Sequence, residues 1–343
     1  MQTITFEPLR WQDDAARVII RNQNAHPDAL FQVTAPRDVR SMAIGRPVEE
    51  LPRILAILGP AHHIAGAKAL DRLFDIQVPE PAQNMRNALL ATYVFVEHLK
   101  KFSFLLLSEC NPFAELRLVR KSERQSLALL EDIQHTIALG QEAGRILGGR
   151  SDHPITAIAG GISRFLKKEA YERLSEIASG CLAAAKRIAA VLHETALHPG
   201  GPLRTVDEVF IDRMPYLTVS AASPDSQEIT VQLKEDGDNT LASYKEKELG
   251  DAIGIQKEPW TNAPFAFVHA NGWPGLDTDS TAGLFFVGPL ARLNSGQTLP
   301  TPLAEKERVR MIEKLGPPPH VSVKAAYHAL LVEILQAAEQ ITA

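Results

Sequence analysis

Two adjacent histidines, His62 and His63, follow a Gly59-Pro60 break in the stretch Arg53-Ile-Leu-Ala-Ile-Leu-Gly-Pro-Ala-His-His-Ile-Ala-Gly-Ala-Lys-Ala-Leu-Asp71. The apolar run stops at the break and restarts as a helix, which places both imidazoles near a helix N-terminus. An imidazole there can ligate a metal, move a proton or hydrogen-bond within the core. Neighbouring helical side chains diverge by about 100°, so the pair does not converge on one ion. With only His153 as an obvious third group, the residues favour one histidine hydrogen-bonded in the core or at an interface. Leu55 and Leu58, just before the break, carry methyl groups and no reactive atom.

Other reactive side chains are sparse. Cys110 and Cys181 are too few and too far apart for a disulfide framework or an all-cysteine metal site. Each reads as a buried small hydrophobe in a reducing compartment. Arg37 and Arg40 offer either a basic spot or surface partners for Asp38 and Glu49. No glycine-rich phosphate loop, Gly-x-Ser-x-Gly elbow or His-Glu-x-x-His is present, and Gly144–Gly149 lacks the Lys-Ser/Thr of a P-loop. The acidic stretch Glu235–Asn239 lacks the spaced carboxylates of a calcium loop and reads as a solvated turn.

The elements that must position these residues are mostly helices. Before them, residues 1–35 alternate in β-branched and aromatic bursts separated by turn residues, which predicts a small antiparallel sheet. A loop then leads to a helix starting near Val48 or Leu51. From His62, the positions Ile64, Ala67, Leu70, Leu73 and Phe74 recur at helical spacing. A long helix over 84–108 is apolar on most of its circumference, and Asn111-Pro112 stops it. Further helices are predicted over 122–147 and 168–195, with Cys181 on the buried stripe of the second. Residues 199–295 lose helical periodicity. There 228–234 alternates as a strand, 235–239 turns, and Leu284-Phe-Phe-Val reads as a short strand. Two helices, over 302–315 and 320–342, follow.

This pattern is α+β and mainly α. It divides as residues 1–50 (sheet and loop), 51–198 (central helical bundle), 199–300 (irregular β-containing segment) and 301–343 (helices packing on the bundle), as one domain overall. The net charge of -5 favours neither nucleic acid nor an anionic membrane. No apolar stretch reaches the roughly 18 to 20 residues that span a bilayer, and the N-terminus lacks a signal pattern. The expected location is the cytoplasm.

Taken together, several stretches resemble the large subunit of nickel–iron hydrogenases, especially the soluble cofactor-coupled kind. Arg53–Asp71 resembles the family's first metal motif, Arg-Ile-Cys-Gly-Ile-Cys followed by a histidine and a helix ending Ala-Lys-Ala-Leu-Asp. Gly149-Arg150-Ser-Asp-His153-Pro154, five residues on from which stand Gly160-Gly161, resembles the second motif. Phe286–Asn294 carries Gly-Pro-Leu-Ala-Arg-Leu-Asn, and Thr301–Ala304 and Tyr327–Glu333 resemble segments that follow. The order holds from Thr3 to Ile341, and implies a hydrogenase-like helical bundle.

The departures shape the functional expectation. In the family, two first-motif cysteines hold nickel and iron; the matching positions here are Leu55 and Leu58. The family's Arg-Gly-x-Glu carboxylate falls at Arg40. Its C-terminal Asp-Pro-Cys-x-x-Cys-x-x-His motif is not met before Ala343. Thiolates bind and bridge soft metals and leucine does not, so no metal, no catalytic residue and no cofactor are expected in this chain, and it is not expected to be an active nickel–iron hydrogenase. His62, His63, His153, Pro154, Gly160, Gly161 and Arg40 are the candidate interface or remnant-site residues. The expected role is that of a catalytically silent large subunit, structural partner of an iron–sulfur small subunit in a soluble multi-subunit redox complex with further redox subunits. A hydrogenase-maturation scaffold, or a subunit binding a small molecule such as a quinone in the emptied cavity, are the alternatives.

Overall fold

The computed structural model describes residues 2–11, 14–23, 26–34, 39–109, 121–194, 197, 214–221, 229–236, 239–273, 275 and 283–343. Cys110 and the Asn111-Pro112 stop lie outside them.

In chain order, strands β1 (Gln2–Trp11), β2 (Asp14–Gln23) and β3 (His26–Val33) form an antiparallel sheet in the order β1-β2-β3. Short helices α1 (Val39–Ala43) and α2 (Leu51–Leu55) lead to α3 (Pro60–Leu73), α4 (Glu80–Glu109) and α5 (Lys121–Gly148). A two-residue hairpin, β4 (Ala157–Ile158) with β5 (Gly161–Ile162), precedes α6 (Lys168–Glu194). Strands β6 (Tyr216–Ala221), β7 (Ile229–Asp236) and β8 (Asn239–Lys245) make a second antiparallel sheet. After α7 (Leu249–Ala252), β9 (Ile253–Gln256) pairs with β10 (Phe265–Val268). Helices α8 (Pro289–Asn294), α9 (Pro302–Leu315) and α10 (Val323–Thr342) follow.

The chain divides into two compact units. One comprises Met1–Ser41 with Arg213–Ala291; the other comprises Met42–Asp212 with Arg292–Ala343. The two β-containing stretches, expected as separate parts of one domain, are joined by hydrogen bonds. The Val33 N–H donates to Thr261 Oγ1 (3.1 Å), and the Asn262 N–H donates to Val33 O (3.1 Å). The Gln32 amide donates to Trp260 O. The end of β3 thus has partners for its edge groups, which an exposed strand edge lacks. Ala16, Ile19, Val33, Val231, Leu233 and Val268 are buried in this unit. The expected strand at Leu284–Val287 is reduced to a single parallel bridge, Phe286 with Tyr216.

In the helical unit, α4 packs on α5 and α10, and α6 on α5 and α10. The apolar circumference predicted for α4 is explained by these neighbours: Leu89, Phe95, Leu99, Phe102 and Leu106 are all enclosed. Helix α10 is enclosed along most of its length, and its polar His328 and Glu333 are buried with its leucines. Such positions require internal partners. Among the described residues, no helix is long and apolar enough to cross a membrane.

Candidate functional site

The histidine pair is positioned by a backbone break. Helix α2 tightens into a 3-10 turn over Ala56–Leu58, and Gly59 follows with φ of 108°. A side chain is strained in that conformation, and a Cβ there would also stand 3.2 Å from the Tyr93 hydroxyl. Pro60 then opens α3, where its missing N–H costs nothing.

On the first turn of α3 the two imidazoles separate. His62 is exposed and His63 is buried. His63 Nδ1 lies 2.7 Å from Pro52 O, and the Ala157 N–H donates to His63 Nε2 at 2.9 Å. Only one tautomer satisfies both contacts: Nδ1 carries the proton and donates, and Nε2 accepts. Burial pushes the His63 pKa down, the Pro52 contact opposes this, and the nearby Arg86 charge adds to the lowering. His63 is therefore a neutral clasp joining α2, α3 and the β4–β5 hairpin.

A second clasp lies beside it. Asp71 near the end of α3 receives Arg86 of α4 through two contacts, Nη1 to Oδ2 at 2.6 Å and Nη2 to Oδ1 at 3.3 Å. Arg86 is 1% exposed. It also donates to Gly161 O (3.1 Å) and to Ile158 O (2.5 Å), while the Gly160 N–H donates to Asp71 Oδ1 (2.7 Å). A buried guanidinium is tolerable when its donors and its charge are both matched, as here. The two predicted motifs thus interlock at two points.

Leu55 and Leu58 are half-buried. The Leu55 Cδ1 methyl lies 2.9 Å from where a Cβ on Gly66 would be, and Pro52 Cα lies 3.0 Å away. The absent side chain at Gly66 is what lets α2 and Leu55 settle on α3. Neither leucine offers a donor to a metal, so these two positions supply no thiolate to a nickel–iron centre. Among the described residues the one cysteine is Cys181. It is enclosed on α6, and burial pushes its thiol up to about 12.

Of the candidate interface or remnant-site residues, His62, His153 and Arg40 are exposed, Gly160 is half-buried, and His63, Pro154 and Gly161 are buried, with both His63 ring nitrogens bonded inside the chain. Exposed apolar side chains stand on and beside the β4–β5 hairpin. Ile155, Ile158 and Phe165 are exposed, Phe165 by 91%, and exposed Ile76 packs against Gly160. A small cleft is lined by Pro60, Tyr93, Gly140, Ser151 and Asp152, with His62 not among its lining residues.

Two further buried clusters escaped the sequence reading. Glu333 on α10 accepts from Arg292 Nε (2.6 Å) and Nη2 (2.8 Å), and its Oε2 lies 2.7 Å from His98 Nε2. Burial would raise the Glu333 pKa, but these donors hold it down at about 2. The other cluster is His193, Glu307 and His328. Partners 21 to 235 positions apart, on different helices, leave no spacing signal. The one available sign was a charged or imidazole side chain interrupting an otherwise apolar helical stripe, as at His98 and His328.

No protein-family model matches the chain. It is 27% identical to a subunit of the vhu F420-non-reducing hydrogenase of Methanocaldococcus jannaschii, across 99% of this chain and 81% of that protein. It is 23% identical to the beta subunit of the NAD-reducing hydrogenase HoxS of Cupriavidus necator, across 98% of this chain and 72% of that one. The fold matches a chain of an NAD+-reducing [NiFe]-hydrogenase crystal structure with a TM-score of 0.79 and 26% identity, over 100% of this chain and 77% of that chain. A Ni-Fe-Se hydrogenase from D. vulgaris Hildenborough shares the fold at a TM-score of 0.66 and 16% identity.

Proposed function

Because the chain is a homologue of nickel–iron hydrogenase large subunits, we propose that it is a catalytically silent member, the structural partner of an iron–sulfur small subunit in a soluble, cytoplasmic multi-subunit redox complex. The observation that carries this reading is the contrast within one stretch. Leu55 and Leu58 stand where the family resemblance places metal-holding cysteines, while the surrounding frame is kept in full hydrogen-bonding order. The His63 clasp and the Arg86–Asp71 clasp hold the β4–β5 hairpin in place. A frame with no ligands to position still shapes a surface.

That surface is apolar at Ile155, Ile158 and Phe165. Ile158 lies on the β4–β5 hairpin and Ile155 and Phe165 flank it, and exposed apolar residues close in sequence around one hairpin support a protein contact. The relatives are themselves named as subunits of hydrogenases, which supports an assembly. In the proposed complex, electrons travel through the iron–sulfur clusters of the partner. This chain orients the partner and excludes water from the contact. It moves no electron itself.

The test is co-purification. The full chain, tagged and expressed with a candidate iron–sulfur small subunit from the same genome, is expected to elute as a brown complex whose nickel content is at background. A colourless monomer that ignores that subunit overturns the partner role. Stoichiometric nickel with hydrogen uptake overturns the silence.

A further inference from the structure

Three buried side chains from three helices converge elsewhere in the helical unit: His193 at the end of α6, Glu307 on α9 and His328 on α10. One ligand-type atom from each lies within 4.8 Å of the others. Glu307 Oε1 is 2.5 Å from His328 Nε2 and 2.8 Å from His193 Nε2. Yet His193 Nε2 has no properly directed hydrogen-bond partner, although its side chain is only 5% exposed. The approach to Glu307 is short but off the line a hydrogen bond needs.

Charge balance separates this cluster from its neighbour on α10. Glu333 is neutralised by the two-pronged Arg292. Glu307 has no such partner: Arg310 Nη1 stands 4.0 Å from Oε2, and Lys314 Nζ is directed at His193 Nδ1, 3.1 Å away. The geometry leaves an enclosed carboxylate faced by two imidazole nitrogens and, among the described residues, with no lysine or arginine directly bonded to it. A buried charge in that condition is costly.

We propose that His193, Glu307 and His328 form a binding site for a divalent transition-metal ion of the zinc class, which ties α6, α9 and α10 together. Two imidazole nitrogens and a carboxylate oxygen, with water completing the shell, suit Zn2+ in type and number. Bonds of about 2.0–2.2 Å put neighbouring ligand atoms roughly 3.3 Å apart. Glu307 Oε1 therefore withdraws from each ring by less than about 1 Å. His193 must present Nε2 as a lone pair with its proton on Nδ1, so the Lys314 ammonium swings off that nitrogen. Lys314 is exposed and its stem is long enough to do so. The charges of Arg310 and Lys314 oppose the ion and limit its affinity. The site does not depend on the partner reading above.

The test uses the full chain, stripped with a chelator and titrated with Zn2+ alone, then with Co2+. One equivalent of Zn2+ is expected to bind and to raise the melting temperature. Co2+ is expected to give visible absorption of a four- or five-coordinate nitrogen–oxygen site. H328Q and E307Q should each weaken Zn2+ binding by more than about tenfold. Should either variant fail to fold, the wild-type ring resonances decide: Zn2+ shifts those of His193 and His328 and leaves exposed His62 and His153 in place. Absence of stoichiometric binding, unchanged binding in folded variants, or shifts confined to His62 or His153 would each overturn the site.

Discussion

His63 and Ala157 are 94 positions apart and joined by a 2.9 Å hydrogen bond from the Ala157 N–H to the imidazole Nε2. With the Pro52 carbonyl on Nδ1, this single ring closes the backbone of two distant segments against each other. Replacing it with alanine leaves one buried donor and one buried acceptor unpaired. H63A is expected to lose roughly 2–4 kcal/mol of stability in a urea titration of the full chain. H62A, at an exposed position, should leave the midpoint within about 0.5 kcal/mol. Equal effects of the two changes would refute the clasp.

The Arg86–Asp71 pair makes a sharper prediction because its charges are buried. R86M alone strands an enclosed carboxylate and should cost about 3–5 kcal/mol, and D71L alone should cost a similar amount. The double variant should cost clearly less than the sum, since neither charge is then left without its partner. Additive losses in the double-mutant cycle would mean that the two residues act separately.

How these clasps relate to the sequence is instructive. The helices were legible because apolar residues recur at 3.6-residue spacing, as over Ile64, Ala67 and Leu70. The N-terminal sheet was legible from its alternating bursts. The motif frame was legible too, since Gly59-Pro60 and Gly160-Gly161 are backbone signals. What periodicity cannot give is which polar residues meet. Nothing near Arg86 in sequence announces that it reaches Asp71 and Gly161. Helix α10 likewise hides Glu333 and His328 among leucines, and their partners Arg292 and Glu307 come from segments whose packing is decided in three dimensions. The leucines show the same limit. Leu55 and Leu58 are half-buried, and the close seat of Leu55 on α3 depends on Gly66, a contact that helical spacing does not announce.

The proposed partner contact can be broken without touching the fold. Phe165 is 91% exposed and Ile158 is also exposed, so neither contributes much to the chain's own core. F165E with I158E is expected to leave the melting temperature within about 2 °C, since surface changes are usually within about 0.5 kcal/mol. Recovery of the iron–sulfur subunit in co-purification should fall at least about tenfold, because a charge placed in an apolar contact is desolvated without a partner. Undiminished recovery would place the contact elsewhere.

Acid should act on the helical unit in two steps. Burial is the leading cause that depresses the pKa of His63, His98 and His328 below the ordinary 6.5. The unfolded chain then binds protons that the folded chain refuses, so stability is full above about pH 6.5 and falls as pH drops through it. Glu307 and Glu333 add a second step. Burial alone would raise them, but the facing imidazoles of His193, His328 and His98 and the Arg292 guanidinium hold both at about 2 against an ordinary 4.5. Their stabilisation is present above about pH 4.5 and is lost as pH falls toward 2. Urea midpoints measured from pH 8 to pH 3 should be level down to about 6.5, decline below it, and steepen below about 4.5. A profile that stays level to pH 5 would mean that the buried histidines titrate as free ones do. The decline below 6.5 should be shallower in H63Q, because the clasp's own share of the proton refusal is removed with the ring.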